Sequence, residues 1–323
     1  MRVNNLNFKP FLRLSSKHFQ MVVSSCFFSG KGPPSKGHHI DLGEGDFLSC
    51  EISTPENFQA NDPTVVLVHG LGGCHSSSYM IRMSRKIYFK GNKVVRINLR
   101  GCGSGKGLSK LPYNAGSSND VLKVLQSLKQ DAPSSEITVV GFSLGGNIAL
   151  KLAGELGVEA KKLVKTFIAV CSPLDLAHTV SQIQEKRNRL YHYYYLKKIC
   201  KQAKSWIFRD IRTLYEFDDL VTAPLWGYNG AAEYYKNCSS LQFLPDIRQS
   251  THLLLAKDDP FVDLDKLQGV SLPDAVSLWI TKQGGHMGFF GKSSKEHGPY
   301  WMDEVLINWI GGDFLSNSVA DNL

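Results

Sequence analysis

The sequence predicts an α/β fold in which a mostly parallel central sheet is flanked by helices and interrupted by a helical cap insertion. Short apolar runs, among them TVVLVHG, KVVRINL, EITVVG and VKTFIAV, alternate with stretches of helical periodicity. A strand that is buried on both faces is apolar throughout, so this alternation is typical of a parallel sheet covered by helices. The alternation stops near residue 175 and resumes with THLLLAKDD and AVSLWI, which delimits the insertion.

The predicted elements divide the chain into four segments. HHIDLGEGDFLSCEIS predicts a hairpin ahead of the first buried strand. SSNDVLKVLQSLK predicts a helix whose start is marked by Ser, Asn and Asp. We therefore expect an N-terminal segment packing on the core (1–37), a first part of the core (38–174), the helical cap (175–246) and a second part of the core (247–323).

Length and cysteine content point to a large reduced domain. With 323 residues the chain can bury a core without disulfides, and its seven cysteines are odd in number, scattered and without a C-x-x-C pair. No apolar run approaches the ~18 residues that span a bilayer. FQMVVSSCFF follows four basic residues as a weak export signal would, but Gln20, Ser24 and Ser25 interrupt it. We expect a cytoplasmic protein.

The net charge of +8 is concentrated in one stretch. Residues 181–212 hold nine Lys and Arg against two acids, Glu185 and Asp210. A solvated helix face explains such a run most simply, and peripheral contact with an anionic membrane surface is the functional alternative. No nucleic-acid-binding motif accompanies the charge, so we expect no nucleic-acid partner.

The stretch TVVGFSLGGNIAL places Ser143 between a predicted strand and a predicted helix. G-x-S-x-G alone is a weak signal, but this context is the one that a nucleophile elbow requires. The small neighbours allow a strained turn at the serine, and the turn puts the Leu144 N–H at a helix N-terminus, where it can stabilise an oxyanion. The alternative is an ordinary strand-to-helix turn.

A serine needs a base and an acid, which follow such an elbow in the order acid, then histidine. His286 lies in GGHMGFF, directly after a predicted strand, and so at the same sheet edge as Ser143. His297, in a polar loop, is the weaker candidate. Asp259 in DDPFV is the predicted acid that orients the imidazole, with Asp258 as the alternative.

The second oxyanion donor is expected after the TVVLVHG strand. In HGLGG the glycines let the backbone amides turn inward, so Leu71 N–H is the predicted donor and His69 is predicted to be structural. RGCGSGKGLS superficially resembles a phosphate loop but lacks the first Gly and the Ser/Thr of that motif. No metal-ligand spacing occurs, so we expect neither cofactor nor metal.

Taken together, the motifs resemble the α/β-hydrolases, and within them the YheT-like branch that is related to the ABHD-type lipid esterases. HGLGG, NLRGCGSG, GFSLGGN, DDPFV and GGHMGF are similar to its central motifs, and residues 213–235 resemble its cap signature. SSKHFQMVVSSCF is similar to its N-terminal segment, with departures at Ser16, Lys17 and Met21. The resemblance implies the α/β-hydrolase fold and hydrolysis of carboxylic esters, often short- or medium-chain, with some members transferring acyl groups to alcohols.

Three functional hypotheses follow from these features. The first is a serine esterase that acts on a small acyl ester or lipid through Ser143, His286 and Asp259. The second is an acyltransferase with the same three residues, and the third is a non-catalytic protein of the membrane surface. Cap aromatics such as Tyr215 and Phe217, or Trp226 and Tyr228 further along, are expected either to line an acyl channel or to form the cap core.

Overall fold

A nine-stranded sheet forms the centre of the computed structural model, which describes residues 2–11, 15–26, 30–294 and 298–313. In chain order the strands are β1 (Arg2–Leu6), β2 (Lys36–Gly43), β3 (Asp46–Ser53), β4 (Thr64–Val68), β5 (Lys93–Asn98), β6 (Ile137–Phe142), β7 (Thr166–Val170), β8 (Thr251–Ala256) and β9 (Val276–Thr281). Across the sheet the order is β1-β9-β8-β7-β6-β4-β5-β3-β2.

The predicted mostly parallel sheet is confirmed. The seven strands from β1 to β5 across the sheet run parallel, while β3 pairs antiparallel with β5 and with β2. Every residue of β4, β6, β7 and β8 is buried, because helices cover both faces of these strands.

Helices connect the strands and cover the sheet. They are α1 (Lys17–Cys26), α2 (Ser78–Phe89), α3 (Ser118–Asp131), α4 (Leu144–Leu156), α5 (Leu176–Gln184), α6 (Arg189–Gln202), α7 (Leu214–Phe217), α8 (Ala223–Leu225), α9 (Ala231–Cys238) and α10 (Trp301–Gly311). A π-helical turn, Asp218–Thr222, joins α7 to α8. None of the helices in the described ranges is both long and apolar enough to cross a bilayer.

The core has one layer on each face of the sheet. Val66 and Val68 of β4 belong to the layer that includes α3 and α4, whereas Val65 and Leu67 belong to the layer that includes α2 and α10. This division follows from the strand geometry, since successive side chains point to opposite faces.

Five helices, α5 to α9, lie in the connection between β7 and β8. Helices α5, α6 and α7 contribute to a smaller apolar cluster that also contains Phe261 of the core and Met21 of α1. The segment that we call the cap therefore contacts both the loop after β8 and the N-terminal helix. The boundaries 175–246 stay a prediction.

The N-terminal residues contribute to the sheet directly. β1 pairs in parallel with β9, with Arg2 opposite Ser277 and Leu6 opposite Thr281. From the sequence, residues 1–37 are expected to pack on the core, and β1 is not among the predicted strands.

Candidate active site

Ser143 occupies the sharp turn between β6 and α4. Its backbone has φ 51° and ψ −118°, and its N–H donates to Val170 O at 2.8 Å. A Cβ atom at Gly145 would lie 2.3 Å from Val68 O, so no larger residue fits beside the turn. The glycines permit the strained backbone, which exposes the serine hydroxyl above the sheet edge.

His286 lies on the loop after β9 and meets the serine there. Ser143 Oγ and His286 Nε2 are 2.7 Å apart, and His286 Nδ1 lies 2.8 Å from Asp259 Oδ2. His286 and Asp259 are both buried. A neutral imidazole satisfies both contacts if Nδ1–H donates to Asp259 and Nε2 accepts the Ser143 hydroxyl. The structure thus brings the three predicted residues together in one hydrogen-bonded chain.

The two neighbouring aspartates make different contacts. Asp259 Oδ1 accepts from the N–H groups of Phe261 and Val262 at 2.9 and 3.2 Å, which leaves Oδ2 for His286. Asp258 Oδ1 instead accepts from Gly285 N–H at 2.8 Å, and burial raises the pKa of Asp258. Asp258 therefore touches the backbone of the histidine loop, not the imidazole.

Two other described histidines, His252 and His69, make different contacts. His297 lies outside the described residues. His252 accepts the Trp279 indole N–H inside the core, where burial lowers its pKa to about 4. His69 Nδ1 lies 2.8 Å from Gly70 O, and its Nε2 accepts from Leu99 N–H, so it holds the backbone of HGLGG. Burial lowers the pKa of His69 to about 4, which keeps the imidazole neutral.

The HGLGG loop is fixed close to the elbow. Tyr79 and Tyr113 hydroxyls accept from the N–H groups of Gly70 and Gly72 at 2.9 and 3.0 Å. A Cβ atom at Gly70 would lie only 3.1 Å from the Ser143 Cβ. The amide between the two glycines, that of Leu71, belongs to the same loop, and Leu71 lines a cavity together with the serine.

The amides of Leu71 and Leu144 are the predicted oxyanion donors. Within the part of the chain that the structure describes, neither N–H donates to a protein acceptor. Both leucines line one cavity together with Ser143 and His286. An unpaired amide beside a serine hydroxyl is what an oxyanion requires, because the developing charge then supplies the missing acceptor.

Comparison with known proteins assigns these features to a family. The family described as alpha/beta hydrolase fold matches residues 63–207. The chain is 27% identical to YheT of Escherichia coli K12, named as an esterase, over 95% of this chain and 94% of YheT. Sequence and fold match the α/β-hydrolase superfamily, and the similarity to YheT over nearly the full length of both chains matches its YheT-like branch.

Two further relatives of this α/β-hydrolase extend the comparison. It is 31% identical to the monoacylglycerol lipase of Saccharomyces cerevisiae, over 77% of this chain but 59% of that lipase. The solved structure of the Pyrococcus furiosus esterase Pf2001 superimposes with a TM-score of 0.58 at 18% identity, covering 86% of this chain and 94% of that one. The latter similarity concerns the fold alone.

The hydrolase has an inner cavity between cap and elbow, with about 950 Å³ of empty space including its open mouth. Its walls are mostly apolar and include Leu71, Leu144, Leu176, Val180, Ile183 and Phe217. Asp218 is the one carboxylate among the described lining residues; its oxygens accept from the hydroxyls of Thr222 and Tyr235. Burial raises the pKa of Asp218 to about 6.

A wider outer cavity opens on the other side of the serine. It holds about 1980 Å³ of empty space, with open solvent included, and is lined by residues of α1, α2 and α6. Leu71, Ser143, Tyr195 and His286 line both cavities. Ser143 therefore borders two cavities, one mostly apolar and beneath the cap, the other wider.

Only part of the expected cap aromatics reaches the inner cavity. Phe217 lines it, but Tyr215 is exposed, and the Trp226 indole donates to Pro112 O. Tyr228 packs on Tyr234 at 5.6 Å between ring centroids. The other aromatic lining residues are not among the sequence predictions; they are Tyr113, Tyr195, Trp206, Tyr234, Tyr235 and Phe261. Their positions depend on how the cap helices pack.

Cys171 lies directly beneath the histidine loop. Its Sγ accepts from Met287 N–H at 3.3 Å, and burial raises its pKa well above the usual range, which keeps it a thiol. Ligand-type atoms of Cys171, Asp259 and His286 lie within 4.8 Å of one another. Because His286 and Asp259 already share a hydrogen bond, we assign no metal here, and the absence of a metal or cofactor stays a prediction.

Proposed function

We propose that this protein is a serine hydrolase that cleaves carboxylic esters through an acyl-enzyme on Ser143. At the level of reaction class, the family and the names of its relatives make it a carboxylic ester hydrolase. The observation that carries the assignment of residues is the pair of hydrogen bonds from Ser143 to His286 and from His286 to Asp259.

In the first half of the reaction His286 Nε2 takes the proton of Ser143 as Oγ bonds to the ester carbonyl carbon. Asp259 stabilises the imidazolium, and the amides of Leu71 and Leu144 donate to the oxyanion. Collapse of the tetrahedral intermediate expels the alcohol, which receives the proton from His286. Water, deprotonated by His286, then attacks the acyl-enzyme and releases the carboxylic acid and Ser143.

We propose that the inner cavity binds the acyl chain, because its walls are mostly apolar and close to the oxyanion donors. The outer cavity then receives the alcohol part. Its greater volume suits a larger or more polar group. A short- or medium-chain acyl ester or a lipid is the substrate class that this arrangement supports.

A series of p-nitrophenyl esters of increasing acyl length tests this assignment. We expect wild-type turnover, and Val180→Trp should lower kcat/KM for longer chains at least tenfold more than for acetate, because the added ring fills the inner cavity. Val158→Trp, on an exposed site outside both cavities, is the matched control. No turnover of any ester by the wild type would contradict the proposed function.

The same assay separates hydrolysis from acyl transfer, which is the alternative use of the same three residues. With excess alcohol present, a hydrolase releases carboxylic acid, whereas an acyltransferase forms the new ester. Free acid as the main product supports hydrolysis. A new ester as the main product would replace the proposal with acyl transfer.

We also propose peripheral contact with an anionic membrane through α6. Leu190, Tyr193 and Tyr194 expose 77%, 65% and 50% of their surface near the outer cavity, and Lys197 and Lys201 are exposed on the same helix. Exposed apolar and aromatic side chains among cations are the composition that binds anionic interfaces.

Vesicle sedimentation tests this contact. We expect binding to vesicles that contain phosphatidylglycerol and little binding to phosphatidylcholine alone, with loss at high salt. Charge reversal by Lys197→Glu with Lys201→Glu should weaken binding by about 30-fold or more, since each lost cation contributes about 1 kcal/mol near the surface and the new carboxylates are repelled. Lys123→Glu on the exposed side of α3 is the control. Binding that ignores lipid charge would contradict the proposal.

A further inference from the structure

The loop that carries His286 is held in an unfavourable backbone conformation. Met287 has φ 61° and Phe289 has φ 43°, and both are non-glycine residues in the left-handed region. Such conformations persist only where surrounding contacts impose them. The position of the imidazole therefore depends on the groups that hold this loop.

Helix α1 supplies the closest of these contacts. Gln20 is completely buried, and its side-chain amide pairs with both backbone groups of one loop residue. Gln20 Nε2 donates to Phe290 O at 2.9 Å, and Phe290 N–H donates to Gln20 Oε1 at 2.6 Å. The pairing fixes the backbone one residue beyond the strained Phe289.

The loop also lies against the backbone of α1. A Cβ atom at Gly285 would lie 2.7 Å from Lys17 O, and one at Gly288 would lie 2.6 Å from the Gln20 Cβ. Gly285 directly precedes His286, and Gly288 follows it two residues later. Their lack of a side chain lets the helix and the loop approach each other.

The same helix is tied to the cap. His18 Nδ1 lies 3.1 Å from the Tyr191 hydroxyl of α6, and the two rings stack. Tyr191 packs edge-on against Phe261 at 5.3 Å between centroids, and Phe261 packs against His286 at 5.0 Å. Helix α1 thus contacts two parts of the protein: the loop that carries His286, through Gln20, and helix α6 of the cap, through His18.

We propose that Gln20 is a positioning residue for His286, and that helix α1 sets the alignment of the imidazole with Ser143. This inference rests on the proposed function, since it assigns Gln20 a role in the same reaction. It also gives a role to the N-terminal segment, whose motif the sequence analysis left without one.

Replacement of the amide tests the proposal. Gln20→Met keeps the length of the side chain but removes both hydrogen bonds, so the loop can relax and the imidazole can shift. We expect kcat for p-nitrophenyl esters, measured per active site titrated by a fluorophosphonate, to fall on the order of 100-fold while KM changes little. The matched control is Leu128→Ala, a buried residue of α3 far from the site, which should lower Tm without changing kcat per titrated site.

A second variant, Gln20→Glu, tests the proposal through the pH dependence of kcat, which would not change if Gln20 had a purely structural role. In Gln20→Glu the carboxylate still accepts from Phe290 N–H, and only its protonated form can donate to Phe290 O. Its kcat relative to the wild type should therefore rise as the pH is lowered.

The outcomes separate the two proposals. Wild-type kcat per titrated site in Gln20→Met, or a Gln20→Glu ratio that is close to one at every pH, would overturn the positioning role. A Gln20→Met variant that behaves like Leu128→Ala would do the same, and if Gln20→Met does not fold, the Gln20→Glu profile alone decides. A wild type that turns over no ester would instead contradict the proposed function.

Discussion

Ser143→Ala is expected to abolish ester hydrolysis and covalent labelling by a fluorophosphonate. The variant removes the oxygen that attacks the ester carbonyl carbon in the first half of the proposed reaction. Loss of the nucleophile in serine hydrolases with this arrangement lowers kcat by about 10⁶-fold, so any residual rate comes from binding and the oxyanion amides. Steady-state turnover of a p-nitrophenyl ester and gel-based labelling measure both effects.

Ser35→Ala is the matched control for this loss, because Ser35 is exposed and bonds only to Glu51 among its described side-chain partners. It should keep wild-type turnover and labelling. Equal labelling of the wild type and Ser143→Ala would show that another residue is the nucleophile.

Asp259→Asn is expected to lower kcat by about 10⁴-fold, the loss that follows when an amide replaces the acid of such a chain. Asparagine presents either a donor that conflicts with His286 Nδ1–H or an acceptor without charge. The imidazole then adopts the wrong tautomer or loses the group that stabilises its charged form. The measurement is kcat for a p-nitrophenyl ester, with Tm recorded to verify folding.

Asp258→Asn provides the internal comparison for this effect. The amide oxygen of asparagine can still accept from Gly285 N–H, so we expect kcat to fall by about tenfold at most. A larger loss in Asp258→Asn than in Asp259→Asn would assign the acid role to Asp258, contrary to the contacts of the two carboxylates.

The parts of the site that depend on strand ends could be predicted from the sequence. The carboxyl ends of parallel strands lie at the same edge of the sheet. Motifs that directly follow β4, β6, β8 and β9 are therefore expected to lie close together at that edge. Ser143, Asp259 and His286 were predicted in this way, and the structure brings them within hydrogen-bonding distance.

Other parts depend on contacts that local sequence does not encode. The residues RVNNL of β1 lack apolar alternation, and they form a strand because β9 offers an edge with unpaired backbone groups. The role of Gln20 was hidden for the same reason, since its partner Phe290 is distant in sequence. A glutamine within an apolar run is the signal that the sequence offers, although such a residue by itself argues only against an export signal.

The cap shows a third limit of local patterns. Its helices were expected from composition, but the walls of the inner cavity were not, because they depend on which face of each helix meets the core. Tyr215 is exposed although Phe217, two residues later on the same short helix, lines the cavity. Helical periodicity predicts which residues share a face of a helix, but it does not predict which face will cover Ser143.

The pairing of β1 with β9 has a consequence for how the protein is made. During translation β1 emerges long before β9, so β1 stays unpaired until β9 has also left the ribosome. Contacts of such long sequence separation form slowly, and an unpaired strand edge invites association with other chains in the interval. Because β9 leads directly into the loop that bears His286, enzymatic activity should be the last property that a nascent chain acquires, and a sensitive reporter of completed folding.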